Sequence, residues 1–286
     1  MPSVSDTMEV DGVMPDESRQ TVYGVDFSGA KDAGKRIFVA RGVVEADTLR
    51  VLSCRRGDEL PGSGGGRNAC LAALGDLIRG SGPSVWGLDF PFGLPASLVD
   101  AETWTAFVLS FPERYESADV FRQACREAAG GRELKRLTDE EEKAPFAAYN
   151  LWLFRQTYYG IRDLLYPLVQ DDATRILPMQ EPLPDEPWLL EICPASTLKG
   201  AWLYQDSYKG PEDAKLEARE HIVRALEEMD AIVLDEATRS KLVEDTGGDA
   251  LDSVVAALAV AKALQDPARL VSDPGDPYAL EGYIYS

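Results

Sequence analysis

An α/β fold built on a mixed sheet follows from three features of the sequence. Three β-rich runs stand close together near its start, later strand patterns are interleaved with helical ones, and a long helical stretch separates the fourth strand from the fifth. TVYGVDF (21–27), RIFVARGVV (36–44) and TLRVLSC (48–54) are joined by short links with turn chemistry, which predicts an antiparallel meander. The Gly-rich loop GSGGG (62–66) leads into NACLAALGDLI, whose apolar residues recur at helical spacing until Gly-Ser-Gly-Pro (80–83) stops them. SVWGLDF (84–90) reads as the next strand. From about 101 to 175 the pattern predicts an inserted helical subdomain. Within it RELKRLTDEEEK (132–143) reads as a solvated linker or exposed helix, and FAAYNLWLFRQTYYGIRDLLYPLV (146–169) should be buried against a neighbour. PWLLEIC (187–193) returns to strand, and helices at about 212–229, 235–245 and 249–265 follow. The expected organisation is a disordered acidic tail over 1–20 and one domain over 21–286 that carries the insertion.

The 286 residues hold 29 Lys plus Arg against 49 Asp plus Glu, a net charge of −20. The tail accounts for only −4 of it, so an acidic surface is expected on the domain itself. That excludes a general binder of nucleic acid or anionic membrane, because non-specific affinity for phosphate comes from Lys and Arg. The 45% hydrophobic fraction excludes wholesale disorder. Cys54, Cys70, Cys125 and Cys193 are far apart, with only His221 to join them, which argues against structural zinc. With no signal-peptide pattern and no apolar run long enough for a membrane span, a reduced, cytoplasmic protein is expected.

Three acids stand alone inside apolar strands: Asp26 in YGVDF, Asp89 in WGLDFPF and Glu191 in WLLEIC. A carboxylate there sheds much of its hydration and is normally found paired or on a metal. Gly24-Val25-Asp26-Phe27 and Gly87-Leu88-Asp89-Phe90 share the pattern G-x-D-F, each where a strand runs into a loop. If those strands are parallel neighbours about 4.8 Å apart, the two carboxylates repel, and a divalent cation between them removes the repulsion. The edge concerned is where open α/β sheets place ligands. Asp249 and Asp252 follow Gly247-Gly248 on the first turn of a helix. An Asp there also caps the helix and complements its dipole, a reading open for Asp249 above all. Asp252 lies beside Ala256 and Ala259, small residues that let the helix approach a sheet, and a metal role is favoured for it.

These residues resemble domain-of-unknown-function family 429, predicted nucleases of ribonuclease H-like fold. The resemblance rests on GVDFSGA (24–30), GLDFPFGLP (87–95), E-x-C-P-A-x-x-L-K (191–199), YKG (208–210) and GDALDSVVAALA (248–259), and spans nearly the whole chain after residue 20. It implies a ribonuclease H-like mixed sheet, in which a three-strand meander is followed by parallel strands. It also implies two Mg²⁺ or Mn²⁺ ions about 3.5–4 Å apart that hydrolyse a phosphodiester. By that pattern Asp26, Asp89, Glu191 and Asp252 are the catalytic carboxylates and Asp249 a further metal ligand, Glu191 corresponding less closely than the others. Lys199 and Lys209 are candidates for a substrate phosphate, and Ser28 for a turn hydroxyl or a ligand near the metal. Arg155, in an apolar helix, reads as an internal partner for an acid.

Gly29 to Arg36 nearly spells a phosphate loop but lacks the Ser or Thr after Lys35 and the following helix. An actin-like or sugar-kinase-like phosphotransferase needs a duplicated domain, for which the chain is short. His221 sits among charged helical neighbours and supports no nucleophilic triad. A non-catalytic acidic scaffold that binds a protein partner is the alternative from another class. The partner expected is a nucleic acid or nucleotide gripped locally. An excess of Arg over Lys, 20 to 9, beside so many acids is compatible with adaptation to salt.

Overall fold

The structure is a computed structural model that describes residues 20–204, 207–273 and 275–286. All but the last residue of the expected tail lies outside them. The strands are β1 (Thr21–Asp26), β2 (Phe38–Glu45), β3 (Thr48–Arg56), β4 (Val85–Leu88), β5 (Arg175–Leu177), β6 (Trp188–Ile192), β7 (Ile232–Val233) and β8 (Ile284–Tyr285). The helices are α1 (Arg67–Arg79), α2 (Trp104–Arg114), α3 (Ala118–Ala128), α4 (Leu137–Glu141), α5 (Phe154–Gly160), α6 (Tyr166–Gln170), α7 (Pro194–Gly200), α8 (Asp213–Glu228), α9 (Glu236–Glu244), α10 (Asp249–Ala263) and α11 (Tyr278–Glu281). A π turn, Ile161–Leu165, joins α5 to α6.

The sheet is mixed and runs β5-β6-β4-β1-β2-β3-β7, with β8 paired to β6. β1, β2 and β3 form the expected antiparallel meander, whereas β4, β6 and β5 continue from β1 in parallel. Because residues two apart share a face, the register decides which side chains meet which layer. Val22, Gly24 and Asp26 of β1 face α10, and Tyr23, Val25 and Phe27 face the layer built from α1, α2, α3 and α5. α10 is apolar on every side because it is buried on every side, from Ala250 to Ala261. Gly24 and Gly87 make room for it: a Cβ on Gly24 would stand 2.1 Å from the Ser253 carbonyl oxygen, and one on Gly87 would stand 2.7 Å from the Val260 side chain.

The helices between β4 and β5 pack onto the sheet as one continuous core with α1. Side-chain caps fix several helix starts, including Ser117, whose hydroxyl accepts from the Val120 N–H, and Asp235, whose carboxylate accepts from the Thr238 N–H. Two sequence expectations need correction here. The stretch 132–143 is not simply solvated: Arg136, Thr138 and Asp139 are buried, because Arg136 joins Asp139 to Glu191, an acid distant in sequence. The 146–169 segment becomes helical only at Phe154. Before it the Trp152 N–H is taken by the Asn150 side-chain oxygen in a turn, which leaves Leu151 and Trp152 exposed. Among the described residues no helix is long and apolar enough to cross a membrane, and all four cysteines are free thiols.

Candidate active site

A cleft of about 550 Å³ opens at the C-terminal ends of β1, β4 and β6, closed on one side by the start of α10 and on the other by residues 144–156. The two G-x-D-F tetrapeptides lie side by side, Gly24 paired with Gly87 and Val25 with Leu88, and the Asp89 N–H donates to the Val25 carbonyl at 3.0 Å. Asp26 ends its strand and Asp89 stands one residue past the end of its own. Both line the cleft, and among the described residues neither carboxylate takes part in a hydrogen bond or ion pair. Asp26 is only 6% exposed. Burial pushes its carboxyl well above the usual carboxylate range, Lys209 opposes this, and Asp249, Asp252 and Asp89 add to it. Burial first, then Asp252, pushes Asp89 up to about 8.

α10 contributes from the other wall. Gly248, in the left-handed region at φ +75°, is its N-cap, and Asp245 takes the capping role considered for Asp249 by accepting from the Ala250 N–H at 2.9 Å. The Asp249 carboxylate is thereby left to the cleft, where burial lifts it to about 6 against the pull of Lys209. Asp252 is buried and held twice: the Tyr208 hydroxyl donates to Oδ1, and Lys209 Nζ lies 2.6 Å from Oδ2 and 3.7 Å from Asp249. Burial works against the Lys209 charge, but Asp252 and Asp26 outweigh it and hold the ammonium charged. Its side chain is nevertheless 47% exposed, so it reaches in from the rim.

Glu191 borders the cleft but is committed elsewhere. Its register partner is Leu88, not Asp89, which turns it to the face opposite Asp26 and Asp89. There Arg136 donates to both its oxygens, at 2.8 Å from Nη1, and to both oxygens of Asp139. Nη1 also donates to the Glu281 carbonyl, so every N–H of the guanidinium is used. The Phe92 N–H adds a third contact to the Glu191 carboxylate. Burial lifts the Glu191 carboxyl and Arg136 pulls it back, while two facing acids hold Arg136 charged. The bidentate geometry decides for an ion pair. Glu191 is thus a buried structural partner, a correction to its expected place among the metal ligands.

Of the other predicted residues, Ser28 lines the cleft as a turn hydroxyl that accepts from the Ala30 N–H. Lys199 lies outside the cleft lining, its Nζ donating to the Lys143 carbonyl. Arg155 is a rim residue, its side chain 55% exposed and 3.7 Å from an exposed Asp119, not an internal partner. Sequence reasoning missed Arg136, Tyr208 and Arg36 as members of the site, and Trp152, expected in the buried 146–169 segment, is an exposed residue of the cleft. YKG at 208–210 was a signal for Tyr208, since it was singled out for its lysine alone.

Asp26, Asp89, Asp249 and Asp252 offer only oxygen donors, the ligand type of Mg²⁺ and Mn²⁺. Among the described residues no group of three or more His, Cys, Asp or Glu is arranged to hold an ion as it stands. The fit is carried by buried Asp26 and half-buried Asp89, which have no hydrogen-bond or ion-pair partner among the described residues, with Lys209 supplying one cation to the other pair. Comparisons with protein-family models, curated proteins and solved structures find no match for the chain.

Proposed function

We propose that the protein is a metal-dependent hydrolase of phosphodiester bonds on a ribonuclease H-like fold. The observation that carries this reading is the pair Asp26, buried, and Asp89, half-buried, at the ends of adjacent parallel strands, with no hydrogen-bond or ion-pair partner among the described residues and with Asp249 and Asp252 lining the same cleft. A meander followed by parallel strands, and acids on the first strand, just past the fourth and on the long helix α10, support the fold assignment. The two carboxylates repel when both are ionised, and a divalent cation between them would remove that repulsion.

A bound divalent ion would supply a positive centre for phosphate oxygens and lower the pKa of water. The chain's own residues do the rest. Asp26, Asp89 and Asp252 would hold the ion, with Asp249 beside them. Tyr208 fixes Asp252 by donating to Oδ1, which turns Oδ2 toward the cleft. Lys209, at the rim and flexible, is placed to exchange Asp252 for a substrate phosphate.

The test is a screen of single-stranded and structured nucleic acids with Mn²⁺ at several salt concentrations, beside a melting curve with added metal. Mg²⁺ or Mn²⁺ should raise the midpoint of the wild type and not of Asp26→Asn, since a ligand that binds only the folded state stabilises it. Asp26→Asn should fold and lose turnover; full activity in that variant sinks the assignment. One observation favours the scaffold alternative, namely that Lys209 and Arg136 already neutralise Asp252 and Glu191. It gains if neither protein responds to metal.

A further inference from the structure

We propose that the cleft takes a single-stranded nucleic acid, with an unpaired base stacked on the Trp152 indole at its mouth. This rests on the phosphodiester reading and names the substrate class for the same site. Trp86, Trp104 and Trp188 are buried, whereas Trp152 and Trp202 are 75% and 86% exposed, and of these two Trp152 lines the cleft. It is not a loose loop tip. The Asn150 side-chain oxygen accepts from the Trp152 N–H at 2.9 Å, the Asn150 carbonyl accepts from the Leu153 N–H, and the Asn150 amide donates to Glu133 at 2.6 Å.

The same segment is locked to the loop that follows Asp26. Gln156 Nε2 donates to the Phe27 carbonyl at 2.6 Å, and a Cβ on Gly29 would stand 2.4 Å from the Arg155 carbonyl oxygen. The backbone that carries the indole is therefore tied to the loop after Asp26, so stacking there requires ordering of the side chain alone. Arg36 and Arg155, both lining the cleft with side chains more than half exposed, are placed for the phosphates on either side of the stacked nucleotide.

A single strand is favoured over a duplex by charge. Duplex affinity grows with the number of phosphates neutralised, and a chain of net charge −20 with a few cations at one cleft has little to offer. Stacking needs no such array, because every base presents a π face.

The experiment measures binding of a fluorescent pyrimidine strand of ~12 nucleotides by anisotropy, with Ca²⁺ present, to wild type, Trp152→Ala and Trp152→Phe. The indole is exposed, so both variants should fold, which a melting curve checks. Trp152→Ala should bind about 5- to 150-fold more weakly, the range expected for one stacked base, and Trp152→Phe should bind close to wild type. A duplex of the same sequence, or a strand of abasic sites, should bind both proteins equally weakly. Equal strand affinity of wild type and Trp152→Ala, or wild-type affinity for the duplex matching that for the strand, overturns the proposal. So does the absence of any strand binding. Stacking on Trp152 without a divalent-metal shift in the melting midpoint supports the proposal while overturning hydrolysis, so the two failures are distinct.

Discussion

Arg136→Met tests the buried cluster that separates Glu191 from the other carboxylates. Arg136 is fully buried, Glu191 and Asp139 are each 2% exposed, and the one guanidinium holds both carboxylates at once. Removing one partner from a buried pair typically costs about 3–5 kcal/mol, because the other charge is left uncompensated. Here two acids are stranded, so the upper end is expected, roughly 7–8 °C in the midpoint of a chain this size. The loss should depend on pH. Burial already lifts the Glu191 carboxyl, and without Arg136 only the Phe92 N–H pulls it back. A folded-state pKa raised above the unfolded one gives stability present at low pH and lost as pH rises through the folded value. The deficit of the variant should therefore shrink between pH 7 and pH 5, measured by thermal and urea melts with circular dichroism. Glu191→Gln should be milder, since it leaves Arg136 paired with Asp139, and should keep any stabilisation by Mn²⁺. A cost under about 1 kcal/mol for Arg136→Met, or loss of the metal response in a stably folded Glu191→Gln, refutes the structural role.

Asp26→Asn should raise the stability of the metal-free protein in EDTA by about 1–2 kcal/mol, read as a higher midpoint, since burial makes the ionised carboxylate oppose folding at neutral pH. An unchanged or lower midpoint would refute its placement as a buried charge without a partner. Gly24→Ala should cost at least about 1–3 kcal/mol, because the new Cβ meets backbone atoms of α10 at 2.1 and 2.2 Å that have no rotamer to change. Urea midpoints matching wild type would mean that α10 lies further from the sheet. Gly248→Ala should cost roughly 1–2 kcal/mol for a left-handed cap residue whose Cβ would also press on the Tyr208 ring at 3.1 Å. It should also weaken the Mn²⁺ shift by moving Tyr208 from Asp252.

The sheet and the Asp26–Asp89 pair were legible because their signals are local. A glycine two residues before an acid, at the end of a strand pattern, marks where a helix lies against the sheet and where the strand opens to a loop. Glu191 misled for an instructive reason. Trp86 precedes Asp89, and Trp188 precedes Glu191, by the same spacing, yet Trp188 pairs with Val85. That shift of one residue turns Glu191 to the opposite face, and no spacing within either strand records it. Arg136 was hidden in a charged run, its Glu191 partner 55 residues away. β5, β7 and β8, of three, two and two residues, are too short for any periodicity to mark.

The two faces of the sheet divide the work of the cleft between them. Carboxylates come from the strand ends and α10, which belong to one core, whereas Trp152, Arg155 and Arg136 come from the insertion, which packs in the other. The layers meet at the cleft through a few specific contacts, Gln156 to Phe27 and Arg136 to Glu191 foremost. Metal retention and strand grip should therefore respond to different substitutions. The global acidity opposes long polyanions, and Arg36, Arg155 and Lys209, each with an acid beside it, supply cations at the cleft. On the proposed reading the protein would select short, unpaired segments by what it repels as much as by what it holds.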